Sequence, residues 1–305
     1  MIPFLRLALL FFIYAFLGWC TEVAFAACKE GRFVNRGFLN GPVCPIYGFG
    51  VVGVALALRP VMDSLPLLFL GSVVITSLIE FVTGFVLEKV FHAKWWDYSG
   101  MPLNIMGYVC LLFSLIWGVA CTVIMKLVYP PIEHLVYGLP KPLLIVLVCV
   151  FFAVLAVDLA ATLATIRKLN ERLKRLTELA AEIHSVSDEI GKAISDTTLA
   201  AKQKAEAGEE RWNDYKSQVE EKLDQSRTAR EQRSAAMRDR IEQGREAGAQ
   251  RLAALKESFS NMLEERSFGQ KRLMNAFPHL KSSEHQAALE ALREKYAQLR
   301  AGKKK

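Results

Sequence analysis

Charge is what the first half of this 305-residue chain lacks. Residues 1–166 hold 9 Lys and Arg and 8 Asp and Glu, whereas the remainder holds 29 and 23. A first half so poor in charge is not a solvated domain, and a second half so rich in it does not bury a large core of its own. The six cysteines (Cys20, Cys28, Cys44, Cys110, Cys121 and Cys149) form no CxxC pair. That excludes the usual zinc and thiol-redox spacings and leaves them as small, soft packing residues. No GxxxxGK[ST] occurs, so the chain is not a phosphate-loop ATPase by itself. The apolar runs show no period-two alternation, which excludes a membrane β-barrel.

What is present is a series of apolar runs about 20 residues long, the length a helix needs to cross roughly 30 Å of hydrocarbon. They lie at Phe4–Ala27, Val43–Met62, Leu67–Leu87, Ile105–Val128 and Leu143–Ile166. Gly41-Pro42, Pro60, Pro66, Pro102, Pro130-Pro131, Pro140 and Pro142 fall between or at the ends of runs. Backbone in lipid must satisfy its own hydrogen bonds, so each run predicts a helix. The fold class expected is all-α: a polytopic bundle of about five spans, followed by a cytoplasmic coiled-coil or long-helix tail.

Orientation follows from the short loops. Lys29, Arg32, Arg36, Lys89, Lys94, Arg167, Lys168, Arg172, Lys174 and Arg175 lie on one side, against Arg59, Lys126 and Lys141 on the other. The richer side faces the cytoplasm. An odd number of spans then puts the N-terminus outside and the tail inside, in the plasma membrane. Ala24-Phe25-Ala26 resembles a signal-peptide cleavage site, but the positive charges follow the run instead of preceding it, so it is read as a retained span. Gly48-Phe49-Gly50-Val51-Val52-Gly53 fits GxGxxG literally. It lies inside an apolar run with no strand before it, so it reads as small residues permitting close helix approach, not as a dinucleotide loop.

Ionisable residues in or beside the spans are the functional lead: Glu22, Glu80, Glu88 and Asp158. A charge at the bilayer centre costs at least ~2.5–3.5 kcal/mol and normally faces a bundle interior. Two readings stand side by side. The acids line an internal polar cluster, or they sit near the interface and pair with Arg32, Arg36 or Lys89 to fix the loops. Asp158 is mid-span, and the sequence names no partner for it. The loops add Asn35, Arg36, Asp97 and Asn104. Glu22, Arg36, Glu80, Glu88, Asp97 and Asn104 therefore form the candidate cluster at the cytoplasmic mouth. Trp95, Trp96 and Tyr98 fit an interfacial aromatic belt.

Several motifs together carry a resemblance. They are Gly18-Trp19 with Glu22; Asn35-Arg36-Gly37-Phe38-Leu39; Gly41-Pro42 through Pro45-Ile46-Tyr47-Gly48-Phe49-Gly50; Glu80 with Gly84 and Glu88; and Trp95-Trp96-Asp97-Tyr98 through Asn104. Covering roughly residues 12–120, they resemble the ABC-transporter permease family of the CmpB type, also called type IV. Arg272-Leu273-Met274-Asn275-Ala276-Phe277-Pro278 is similar to an ending seen in family members. The resemblance implies a bacterial multi-pass membrane protein. Its transporter label is a name, and no chemistry in the chain establishes transport.

The tail has its own logic. No proline lies between Pro142 and Pro278. Leu169, Leu173, Leu176, Ala180, Ile183, Ser187, Ile190 and Ile194 step by 3 and 4, which is a heptad seam. A seam must bury itself against another helix. The stretch 202–258 offers few apolar residues, Leu252, Leu255, Phe259 and Met262 come late, and no Pro or Gly marks a turn near 217–233. The expectation is therefore self-association, a parallel dimer through 166–201. Ser282 or Ser283 is placed to cap a short last helix carrying Leu289, Leu292 and Tyr296. The domains read as 1–166 membrane bundle, 167–270 coiled coil and charged helix, and 271–305 short helical segment with the basic end Lys303-Lys304-Lys305.

Two function classes remain open: a permease-like transporter component without ATPase activity of its own, or a membrane-anchored scaffold whose tail binds partners. No nucleophile–base or metal-ligand spacing points to an enzyme, and no cofactor or metal is implied. The partners expected are the lipid bilayer, a second copy through the tail, and a separate ATPase or cytosolic protein. Interspersed acids argue against specific nucleic-acid binding.

Overall fold

The computed structural model describes residues 2–215, 223–265 and 267–301. Among these, helices α1 (Ile2–Glu30), α2 (Pro45–Ala57), α3 (Leu65–Phe91), α4 (Leu111–Val123) and α5 (Tyr129–Tyr137) precede the 75-residue α6 (Lys141–Tyr215). Helices α7 (Leu223–Glu264), α8 (Phe268–Ala276) and α9 (Gln286–Ala301) follow. The chain forms two compact units: Met1–Leu173 with Arg266–Lys305, and Lys174–Glu265. The contact boundaries thus differ from those drawn on composition at 166 and 270. The C-terminal segment packs with the apolar bundle, not as a separate piece.

Four helical stretches among the described residues are long and apolar enough to cross a membrane: Ile2–Glu30, Leu65–Phe91, Leu111–Tyr137 and the start of α6. The second apolar run differs from expectation. It yields only the 13-residue α2, about 20 Å long, short of ~30 Å of hydrocarbon. Pro45 opens this helix, where its fixed φ and missing N–H cost nothing, and Pro60 lies in the 3₁₀ turn Arg59–Val61 that follows it.

The fourth run is also shifted. Asn104–Cys110 forms a tight hairpin, pairing β2 (Asn104–Ile105) with β3 (Val109–Cys110), so the helix starts at Leu111. Met106 and Gly107 take positive φ at its tip. The helix then outlasts Val128 because a π-helical segment, Ile124–Val128, precedes Pro130-Pro131. Prolines cannot close i→i−4 bonds and their rings crowd the preceding turn, so one widened turn lets the chain pass them and remain helical to Tyr137.

The bundle's core joins Leu9, Leu10 and Tyr14 of α1, Val51 and Val54 of α2, Leu68 of α3, Cys121 of α4, Val136 of α5, and Leu144 and Val148 of α6. Close approach of α1 and α2 depends on glycine. A Cβ at Gly18 would run into the Tyr47 ring, and one at Gly48 would meet the Phe11 carbonyl oxygen at 2.5 Å. Leu78, Val82, Leu112, Ile116, Val154 and Val157 stay exposed on α3, α4 and α6. An outward apolar surface of this kind is what lipid requires.

The second unit is an antiparallel helical hairpin. Arg251 on α7 pairs with Glu182 on α6 at 2.8 Å, and Gly248 lies against Ile190. The chain's own α7 thus lies against part of the seam that the sequence reading assigned to a second copy in a parallel dimer, and self-association through 166–201 stays a proposal. The stretch 202–258 is poor in apolar residues. However, Ile241, Gly248, Leu252, Leu255, Phe259 and Met262 are themselves spaced by 7, 4 and 3, and all are half-buried. The antiparallel register sets these late residues against the early seam. Leu176 and Val186 are buried, Val186 taking the place the sequence register gave to Ser187, while Ile194 is 45% exposed where the seam ends. Residues 216–222, part of the stretch without Pro or Gly, lie outside the described residues.

Candidate functional site

The segment 31–44 between α1 and α2 is not helical, yet it does not stay at the surface. The Cys44 N–H donates to the Ala15 carbonyl oxygen at 2.9 Å, so α2 starts beside Ala15 and not beside Glu30. Fifteen residues of α1 separate those levels, about 22 Å of helix. Irregular backbone at such depth is tolerated only where protein groups satisfy it, and three side chains do so. Asp158, mid-span on α6, accepts from the Asn40 N–H (3.0 Å) and the Gly41 N–H (2.7 Å), one with each carboxylate oxygen. Asn35 accepts from the Gly37 N–H (3.1 Å) and the Trp19 indole (2.8 Å), and donates to the Asn40 carbonyl. Arg272 of α8 donates to the carbonyls of Gly37 (2.9 Å), Phe38 (3.0 Å) and Leu39 (2.9 Å).

The loop is therefore clamped between an anion and a cation that never touch. Asp158 takes its amides and Arg272 takes its carbonyls. Burial pushes the Arg272 guanidinium below its usual range, and Asp158 pulls it back up across the loop. Thr162, fully buried one turn after Asp158, holds the Asn40 side chain at 3.0 Å.

The C-terminal segment has further holds. Strand β1 (Ala93–Lys94) pairs antiparallel with β4 (Lys281–Ser282), and Phe277 meets Trp95 edge-on at 4.7 Å. Arg172 donates to Gln270 at 2.6 Å and to the Tyr296 hydroxyl. Ser282 caps α9 through the His285 N–H.

The residues singled out from sequence fall into separate groups. Glu22 accepts from the Tyr47 hydroxyl (2.6 Å) and pairs with Arg36 (3.3 Å). Glu80 accepts from the Tyr98 hydroxyl at 3.2 Å. Glu88 accepts from Tyr108 at 2.7 Å, with Lys94 at 3.7 Å. Asp97 pairs with Lys281 at 2.6 Å and accepts from Ser99. Asn104 braces its own hairpin, donating to Met101 and accepting from Gly107.

Tyr98 links the first two groups. Burial, then the charge and hydrogen bond of Glu80, then Cys110 and Glu22, all hold its phenol protonated far above the ordinary range. The three aromatic residues expected at the interface pack within the chain. Trp95 is 5% exposed among Phe38, Phe91 and Phe277, Trp96 donates to the Tyr108 carbonyl, and Tyr98 stacks on Phe113.

Sequence reading missed the clamp. Asp158 stood out as an unpartnered mid-span charge, but its donors are backbone amides, which leave no side-chain signature. Arg272 was visible only as part of a family-like ending.

Asp97 gives a pH test of the C-terminal contact. Hydrogen bonds from Lys281 first and Ser99 second hold its carboxyl well below the usual carboxylate range. A depressed folded value means that the stabilisation is complete at neutral pH, above that usual range. It is lost progressively as pH falls through the range toward the lowered folded value. Lys281 is 58% exposed, so the pair contributes no more than ~1 kcal/mol. In a variant retaining only Trp95 among tryptophans, emission should stay blue from pH 7 down and shift red in acid as Phe277 lifts away. Asp97→Asn should be red-shifted already at neutral pH and should lose that pH dependence. An unchanged acid profile in Asp97→Asn would remove the pair from the contact.

A family model described as Putative ABC-transporter type IV matches residues 9–163. The match includes Asp158 and the 31–44 loop and stops short of Arg272. No curated protein and no solved structure matches the chain.

Proposed function

The chain belongs to the family described as Putative ABC-transporter type IV, and from that premise we propose that it is a permease-like membrane component with no ATPase activity of its own, served by a separate ATPase. The observation that carries this reading is a carboxylate-bearing interior in an otherwise apolar bundle: Glu22 with Arg36 and Tyr47, and Glu80 with Tyr98. Buried ionisable groups cost stability in a span, and a solute or ion pathway is the use that recurs for them. The chain is no enzyme in this reading. The second reading, a membrane-anchored scaffold, is favoured by the charged hairpin of α6 and α7, whose outer faces are solvated from Gly191 to Thr198.

Purification of the tagged full-length protein in mild detergent separates the two. The first expects a co-purifying ATPase and ATP hydrolysis by the complex but not by this chain alone. A stable partner set with no ATPase among it would favour the scaffold. The bundle is read as lying in the plasma membrane with its N-terminus outside and its tail in the cytoplasm, by the asymmetry of 10 basic residues against 3 in the loops. This needs the 31–44 loop and α2 to make one crossing together, the loop reaching Ala15 and α2 running on from there to Ala55 and Arg59 beside Arg6. A phosphatase fused after residue 170 should be inactive, and a fluorescent protein at the same point should glow. The reverse pattern would invert both orientation and the parity of crossings.

A further inference from the structure

Among the described residues, four of the acids at the inner end of the bundle each meet a cation or a pair of backbone amides. Glu22 meets Arg36, Glu88 meets Lys94, Asp97 meets Lys281, and Asp158 meets two backbone amides. Glu80 of α3 is 8% exposed and has no ion pair among the described residues. Its Oε1 accepts from the Tyr98 hydroxyl at 3.2 Å, and its buried Oε2 has no hydrogen-bond partner.

The surroundings are apolar and close. Gly84, one turn on, lets the Tyr108 and Trp96 rings approach the helix, with a Cβ there meeting Tyr108 at 2.9 Å and Trp96 at 3.2 Å. Ser77, three residues earlier, is occupied with Ser114 of α4 at 2.7 Å. The titratable group facing Glu80 from the α3–α4 loop is Tyr98. Cys110 and, from α1, Glu22 lie beyond that hydroxyl, and the Arg36 charge is spent on Glu22. No cation among them serves Glu80.

A carboxylate left alone at membrane depth costs at least ~2.5–3.5 kcal/mol, and a carboxylic acid removes that cost. We propose that Glu80 is a reversible proton-binding site inside the bundle, holding one proton on Oε2 while Oε1 accepts from Tyr98. The step is a proton transfer alone. A hydronium ion gives one proton to Oε2 and leaves as water, one O–H bond breaking as the other forms, and release to water returns hydronium and a carboxylate steadied only by Tyr98. Tyr98 keeps its own hydrogen throughout. The site adds a proton as the ion that the permease-like component binds. It rests on the membrane reading of the bundle and not on the ATPase partner, so its failure leaves the co-purification result untouched.

The test uses the full-length chain in proteoliposomes treated with dicyclohexylcarbodiimide, which adds to protonated carboxyls in apolar surroundings and leaves a stable N-acylurea. Peptide mapping should find the adduct on Glu80. Its yield should fall about tenfold per pH unit once the site is more than half deprotonated, and exchanging sodium for choline should not alter it. Infrared spectroscopy of the same sample should show a protonated-carboxyl band that shifts in D2O and is missing in Glu80→Gln. That band counts for the proposal even if the reagent does not reach the site, and its D2O shift is readable in the unaltered chain if Glu80→Gln does not assemble. Absence of both the adduct and the band would show an ionised Glu80 and overturn the proposal. Suppression of labelling by sodium at fixed pH would also overturn it, by making the ligand a metal cation.

Discussion

Asp158→Ala should cost roughly 3–5 kcal/mol, enough to remove most folded protein from mild detergent. The estimate follows from what the carboxylate does. It accepts the Asn40 and Gly41 N–H groups, and no water in the hydrocarbon replaces it. A donor left without an acceptor where no water replaces it costs about 1–3 kcal/mol, and here there are two, the half-buried Gly41 amide and the Asn40 amide on the exposed face of the bundle. Asp158→Asn separates hydrogen bonding from general polarity. Its single acceptor oxygen serves one amide, and its NH2 faces the other, so an intermediate loss is expected. Thermal unfolding in detergent, followed by size-exclusion chromatography, reads the series. An Asp158→Asn protein as stable as the original would remove the clamp from the account of this loop.

The second large effect is expected at Arg272. Arg272→Ala deprives the Gly37, Phe38 and Leu39 carbonyls of their donor at once, a loss of about 3 kcal/mol. The consequence should be local. The segment from α8 onward should become accessible to protease, while the spans stay inserted. Arg272→Lys should recover less than half, because a compact ammonium does not reproduce a planar fork in which one nitrogen serves two carbonyls and the other a third.

The double variant Asp158→Ala/Arg272→Ala should lose less than the two single losses added, by roughly 0.5–3 kcal/mol, because both residues hold the same loop. Strict additivity would mean that the two grips are independent. A C-terminal segment no more protease-sensitive in Arg272→Ala than in the original would show that β1–β4 pairing and the Phe277–Trp95 contact hold it alone.

These two residues also mark where sequence reading stopped. Leu143–Ile166 announces a span whatever surrounds it, because apolarity over about 20 residues is a property of the segment and the solvent it must enter. Asp158 within that span announces a cost. What it cannot announce is that the cost is met by the amides of residues 118 and 117 positions earlier. The same holds for Glu22 and Arg36. The residue types suggested a pair, and the fold chose this pair and left Lys89 over the Phe85 ring. Trp95, Trp96 and Tyr98 show the same limit, because an aromatic triplet beside a span has the same composition whether it faces lipid headgroups or the loops of its own chain.

The sequence by itself determined the membrane-spanning helices, the charge-poor and charge-rich halves, the heptad seam and the cost of Glu80 and Asp158, because these depend on local periodicity and on transfer from water. The tertiary structure decided the rest: a 13-residue α2 in place of a full crossing, the descent of the 31–44 loop to Ala15, the return of α8 to that loop, and α7 lying against the seam. Each of those depends on which distant donor meets which acceptor, or which half-buried face meets which other. Many pairings satisfy the same residue types, and only the closed set of contacts selects one.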